Sequence, residues 1–115
     1  IELFAGALYE PGFGHTILCG LGGIYVEVLK DMATGLAPLS MKEAGGMIRS
    51  LKGYKMLEGM RGQEGINISA FEEILVRLSF VLSNNDCIAE LDLNPLMGRG
   101  DQLHVVDSRI RIEKK

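Results

Sequence analysis

Two kinds of hydrophobic spacing divide the chain. From Glu2 to about Pro38, short apolar runs are separated by turn residues and show no helical period, which predicts several strands. The sharpest break is "EPGFG" (10–14). Pro11 fixes φ at a turn's second position and Gly12 supplies the positive φ of its third, so "LFAGALY" and "HTILCG" are expected to pair as a hairpin. "GLGGIYVEVLKD" gives a glycine-rich break followed by another strand, and "ATGLAPLS" one more short strand ending at Pro38.

Helical spacing takes over after Pro38. Ser40 with Glu43, and Ser69 with Glu72, read as capping boxes in which a hydroxyl and a carboxylate satisfy unpaired backbone N–H groups. Behind them Ala44, Ile48 and Leu51 form one apolar stripe, and Phe71, Ile74, Leu75, Leu78, Val81 and Leu82 a wider one. Gly53 is the expected terminator of the first helix and "SNND" of the second. The glycine- and charge-rich stretch between them (53–69) reads as a loop with one helical turn.

Two strands close the chain, "DCIAELDLN" and "QLHVVDSRIRIE", joined by "PLMGRGD" as a hairpin connection that begins where Pro95 ends the first strand. Strands, helices, then strands again predict an α+β fold with a largely antiparallel sheet and two main helices. No repeat or linker interrupts residues 1–115, which are expected to form a single domain fragment.

The first terminal strand places Glu90, Asp92 and Asn94 at every second position, on one face, with Cys87, Ala89, Leu91 and Leu93 on the other. If the last two strands pair with facing positions that sum to an odd number, for instance Asn94 opposite Leu103, then Asp107 and Arg109 join the polar face. Such a face is either the solvated side of an edge sheet or a set of hard oxygen ligands of the kind that hold Mg²⁺ beside a nucleotide. The pattern by itself does not choose.

Composition narrows the function classes. A formal charge of −3 without a Lys/Arg cluster on any predicted face argues against a nucleic-acid surface, which needs a basic patch. No run approaches the ~20 apolar residues of a membrane helix, and the start lacks the features of a signal peptide. Cys19 and Cys87 lie in apolar stretches without metal-ligand spacing, so both are expected to be packed thiols in a reducing, cytoplasmic setting. His15 and His104 stand in no nucleophile motif and read as structural histidines. "CGLGG" lacks the spacing of a phosphate loop, and Arg61 in "EGMRGQEG" suits a phosphate or plain solvent equally. With no initiator Met at its start, the chain is expected to be a fragment of a longer polypeptide or a processed product.

Five segments in this order and at these separations carry a family likeness: "FGHTILCGLGGIYVEVLKD", "APLS", "LEGMRG", "IAELDLNPL" and "VVDSRI". Together they resemble the C-terminal lobe of the ATP-grasp domain in ADP-forming acyl-CoA (acetyl-CoA) synthetases, which are related to the succinyl-CoA synthetase beta subunit. The resemblance implies a ligase that interconverts acyl-CoA, ADP and phosphate with carboxylate, CoA and ATP through a phosphorylated histidine. It implies Mg²⁺ and ATP/ADP as cofactors, with Asn94 and Asp107 as metal ligands and Asp92 in a slot where related proteins often have Glu. Gly22 and Gly23 would let backbone approach the nucleotide, Arg61 and Arg109 would add positive charge, and Glu27 would be a further member of the site. The implied partners are an upstream ATP-grasp lobe and the CoA-binding domain or subunit that bears the phosphohistidine, so the chain alone is expected to catalyse no acyl-CoA synthesis. Two other readings stand beside this one: an ATP-grasp-like regulatory module of a protein acetyltransferase, and a non-catalytic α+β interaction domain.

Overall fold

The computed structural model describes residues 1–23, 31–60 and 62–113, so the strand expected within 24–30 lies outside them. Strands β1 (Glu2–Glu10) and β2 (Gly14–Leu21) form the expected hairpin, in register from Leu3↔Leu21 to Glu10↔Gly14. The Phe13 N–H donates to Glu10 O at 2.9 Å, and Gly12 at φ +86° takes the position that a side chain would strain. Strand β3 (Met32–Leu36) adds to the other side of β2 and stops short of Pro38.

Helix α1 (Met41–Arg49) begins with the expected box: Glu43 N–H donates to Ser40 Oγ and Ser40 N–H to Glu43 Oε1, both at 3.1 Å. It ends earlier than expected, with Ser50 as its cap, and Gly53 instead precedes α2 (Tyr54–Glu58). A buried acid sets that corner, because Asp31 accepts the N–H groups of Lys52 at 2.6 Å and Gly53 at 2.7 Å. The expected loop therefore holds one helical turn and a small ribbon of β4 (Gly59–Met60) and β5 (Gln63–Glu64).

Helix α3 (Ile68–Ser83) is capped by Asn67, not Ser69: Asn67 Oδ1 accepts the Ala70 N–H at 3.0 Å. Ile68 already packs against the core inside the first turn, so the cap falls to the residue before it. Phe71, Leu75, Leu78 and Leu82 are buried as the spacing predicts, whereas Val81 turns outward and is 51% exposed. Ser79, polar and fully buried within that stripe, accepts the Leu39 N–H at 2.9 Å and so ties α3 to the segment before α1.

The closing strands are β6 (Ile88–Arg99), β7 (Gln102–Val105) and β8 (Ser108–Ile112). The sheet runs β3-β2-β1-β6-β7, and β8 also pairs with β6, every pairing being antiparallel. Both main helices lie on one face, where Leu3, Ala5, Ile17, Cys19 and Leu91 meet Ile48, Phe71 and Leu75 in one core. Burial there and the neighbouring Asp31 push the Cys19 thiol up to about 12. Cys87 is exposed, contrary to expectation, because the ladder starts one residue after it. Among the described residues no helix is long and apolar enough to cross a membrane.

Pro95 does not end its strand. β6 continues through it because Leu96, fully buried, still packs on the core and pairs with Leu3. Ala5 faces Leu93 but Leu3 faces Leu96, so Asn94 and Pro95 together oppose Phe4 in a β-bulge, where a proline's missing N–H is tolerated. Burial alternation reverses there, from Ala89 and Leu91 to Leu96 and Gly98. The expected connection over 95–101 shrinks to a two-residue turn, since Arg99 already pairs with Gln102.

Candidate functional site

The bulge has a counterpart on the neighbouring strand. The expected strand over 102–113 is interrupted at Val106 and Asp107, which lie opposite Pro95 and Asn94: Asn94 N–H donates to Asp107 O at 3.1 Å, and Val106 N–H to Pro95 O at 3.0 Å. The observed pairs Leu96↔Val105 and Asp92↔Arg109 keep the odd-sum register the polar face requires, four residues from the Leu103 example. Asn94 thus stands directly against Asp107.

Asp92 sits beside them, between Gly6 of β1 and Arg109 of β8. A Cβ at Gly6 would stand 2.9 Å from Leu91 O and 3.6 Å from Asp92 Oδ1, so only glycine permits this approach. Partial burial, then the charges of Glu90 and Asp107, raise the Asp92 carboxyl above the usual range, while Arg109 opposes them. The influence of Asp107 on Asp92 places the two acids in one electrostatic neighbourhood. Asp107 is held in turn by its Oδ1, which accepts the Ser108 N–H at 2.9 Å.

The surroundings divide the remaining charges by role. Arg111 Nε donates to Glu90 Oε2 at 3.5 Å and the same guanidinium pairs with Glu113, so its charge is spoken for. Arg109 makes no ion pair among the described residues and stays available to an anion. Two hollows flank Asp92, one of about 170 Å³ over Phe4, Gly6, Leu8 and Leu18, the other of about 250 Å³ beside Arg109 and Arg111.

The oxygen-rich set fits a hard divalent cation. Asn94 and Asp107 supply an amide and a carboxylate at facing positions, and Asp92, raised first by its partial burial and then by the neighbouring acids, stands beside them. A Mg²⁺ ion needs only a few protein oxygens and takes the rest from water and phosphate. Among the described residues no group of three His, Cys, Asp or Glu side chains forms a ready cage.

Gly22 and Gly23 are not part of this cluster. They lie beside the start of β1, where Gly22 N–H donates to Glu2 O at 2.7 Å, two strands across and roughly 12 Å from Asn94 by strand geometry. The Glu2 carboxylate lies against both glycines. A hollow of about 580 Å³ opens at the same end between Glu2, Met56, Glu64 and Arg99. Glu27 and Arg61 lie outside the described residues. His15 is structural as expected: its Nε2–H donates to Ile88 O at 2.7 Å, and its ring meets the edge of Tyr9. His104 stands exposed on β7.

Sequence reading missed Gly6, although an isolated glycine inside an apolar strand is a known sign of close approach. It missed Asp31 as well, for which the only signal was an acid at the end of an apolar run.

Comparison with known proteins converges on one group. The sequence model of the ATP-grasp domain matches residues 1–112. The 4-hydroxybutyrate–CoA ligase (ADP-forming) of Nitrosopumilus maritimus is 47% identical over 111 residues, which cover 95% of this chain and 16% of that protein. The beta subunit of acetate–CoA ligase (ADP-forming) II of Pyrococcus furiosus is 41% identical over 112 residues, covering 95% of this chain and 48% of the subunit. Among solved structures, acetyl-coenzyme A synthetase 1 of Ca. Korarchaeum cryptofilum, in complex with coenzyme A and Mg-AMPPCP, superposes with a TM-score of 0.92 at 42% identity over 98% of this chain and 53% of that one. In that complex a phosphohistidine segment points towards the nucleotide-binding site. The chain therefore spans about half the length of the beta subunit it matches and far less of the 4-hydroxybutyrate–CoA ligase.

Proposed function

The chain belongs to the ATP-grasp domain family, and on that premise we propose that it is the metal-binding C-terminal lobe of an ADP-forming acyl-CoA ligase. The complete enzyme interconverts acyl-CoA, ADP and phosphate with carboxylate, CoA and ATP. The nucleotide's phosphoryl group is exchanged with a phosphohistidine on a partner domain or subunit, and an upstream lobe completes the nucleotide cleft. A reducing, cytoplasmic compartment suits the two free cysteines.

One observation carries the reading: Asn94 in the bulge of β6 faces Asp107 in the break between β7 and β8, with Asp92 beside them. Bound there with ATP or ADP, Mg²⁺ supplies neutralisation of phosphate oxygens, the main requirement of phosphoryl transfer. Asn94, Asp107 and Asp92 are the residues that would hold the metal. Arg109, its charge unpaired, reaches the phosphates from β8, and Arg61 adds a second cation. Gly22 and Gly23 let backbone approach the nucleotide; with Glu2 beside them, that contact is to its uncharged part. Glu27 would be a further member of the nucleotide site.

Titration of Mg-ADP into the complete protein tests this reading. Asp107→Asn is expected to weaken affinity at least tenfold, and an unchanged affinity removes Asp107 from the site.

A further inference from the structure

We propose that Gly6 is a positioning residue: the room left by its missing side chain lets Asp92 lean onto β1 instead of closing an ion pair with Arg109, so that carboxylate and guanidinium both stay open to ligand. This rests on the reading that Asp92 stands at the metal and Arg109 reaches the phosphates.

Two neighbouring rungs of the sheet make the case. In one, Glu90 of β6 lies between Leu8 of β1 and Arg111 of β8. There the ion pair closes, with Arg111 Nε 3.5 Å from Glu90 Oε2. In the next, Asp92 lies between Gly6 and Arg109, in the same order of strands and on the same face. Opposite charges directly across an antiparallel pair attract and ordinarily meet. Here they do not. Among the described residues Arg109 joins no ion pair, and burial and Glu90 both weigh more on the Asp92 carboxyl than Arg109 does. On the β1 flank, glycine has replaced leucine.

The space above Gly6 is where the carboxylate goes. A Cβ built there would stand 3.6 Å from Asp92 Oδ1 and 3.7 Å from Asp92 Cα, so Asp92 already rests against the bare backbone of β1. The same Cβ would meet Leu91 O at 2.9 Å, a backbone atom that cannot swing aside. An alanine at this position therefore pushes β6 away from β1 at Leu91 and Asp92 and takes the room over which the carboxylate leans. Arg109, directly opposite on the other flank, then draws it into a pair.

The test uses the complete protein free of metal and nucleotide, with phenylglyoxal as the probe and modification of Arg109 followed by peptide mass spectrometry. A paired guanidinium reacts more slowly than a free one. Gly6→Ala is expected to slow Arg109 at least threefold, and Asp92→Asn in that background to restore the parent rate. Asp92→Asn alone and Asp92→Glu alone are each expected to stay within about twofold of the parent, the second because room over Gly6, and not side-chain length, directs the lean. In parallel, Gly6→Ala is expected to weaken Mg-ADP binding at least tenfold in the parent but less than twofold in Asp92→Asn, a difference that mere loss of stability does not produce. The proposal is overturned if Arg109 reacts in Gly6→Ala as in the parent, if Asp92→Asn alone speeds it, if Asp92→Glu slows it, or if Gly6→Ala costs the same affinity in both backgrounds. Should circular dichroism show Gly6→Ala unfolded, the Asp92→Asn and Asp92→Glu rates decide. If Asp92→Asn binds Mg-ADP like the parent, the metal reading of Asp92 fails instead, and the Arg109 rates still decide the role of Gly6.

Discussion

The two faces of the sheet are built on opposite plans. On the helix side, Leu3, Ala5, Ile17, Cys19 and Leu21 are fully buried and pack with residues of α1 and α3 in one apolar core. On the other side, Gly6 and Gly20 alternate with Phe4 and Leu18, and the acids Glu90 and Asp92 face the arginines of β8. The first face holds the fold together. The second carries a partly buried acid, Asp92, whose carboxyl is raised by that burial and then by Glu90 and Asp107. Burial stabilises, whereas a site binds by leaving groups short of what a ligand provides.

Substitutions that separate stability from binding test this division. Phe71→Ala on the helix side removes a fully buried ring, and a loss of about 4 kcal/mol in unfolding free energy is expected from denaturant titration. Mg-ADP affinity of the remaining folded protein should not change. Asp31→Ala strands the Lys52 and Gly53 N–H groups and is expected to cost about 2 kcal/mol, again without effect on nucleotide affinity. A large drop in affinity from either would blur the distinction between the faces.

On the polar side the signs reverse. Since the folded-state pKa of Asp92 exceeds its unfolded value, its contribution to stability is full below the unfolded pKa and is lost as pH rises through the folded one. Asp92→Asn should therefore gain stability relative to the parent as pH increases from 4 to 7, a trend that urea midpoints at the two ends would reveal, while its Mg-ADP affinity falls. The smallest effect expected concerns protons. A cation beside Asp92 favours its charged form, so metal binding near the raised pKa should release a fraction of a proton, detectable calorimetrically in buffers of different ionisation enthalpy. No such release is expected from Asp92→Asn.

Much of this was legible in the sequence where one local rule decided the outcome. Pro11 and Gly12 fixed a turn, Ser40 and Glu43 a helix start, and period-two spacing put Glu90 and Asp92 on one face. What was hidden depends on contacts distant in sequence. Pro95 looked like a strand end because a proline lacks an N–H, yet pairing of Leu96 with Leu3 carries the ladder past it. The flip in burial after Asn94 follows from that bulge and cannot be read from alternation alone. Ser69 lost the cap to Asn67 because the packing of Ile68 set the helix start. The opposition of Asn94 and Asp107 was reached by assuming the parity of the register, which the sequence permitted but did not require.

That opposition is the centre of the account, and a double-mutant cycle measures it directly. Mg-ADP affinity of the complete protein would be compared for Asn94→Ala, Asp107→Ala and the double variant. If both residues hold one ion, each single change weakens binding at least tenfold, about 1.4 kcal/mol, and the double variant loses clearly less than the sum. Strictly additive losses, or singles that bind as tightly as the parent, would contradict a shared metal between β6 and the break before β8.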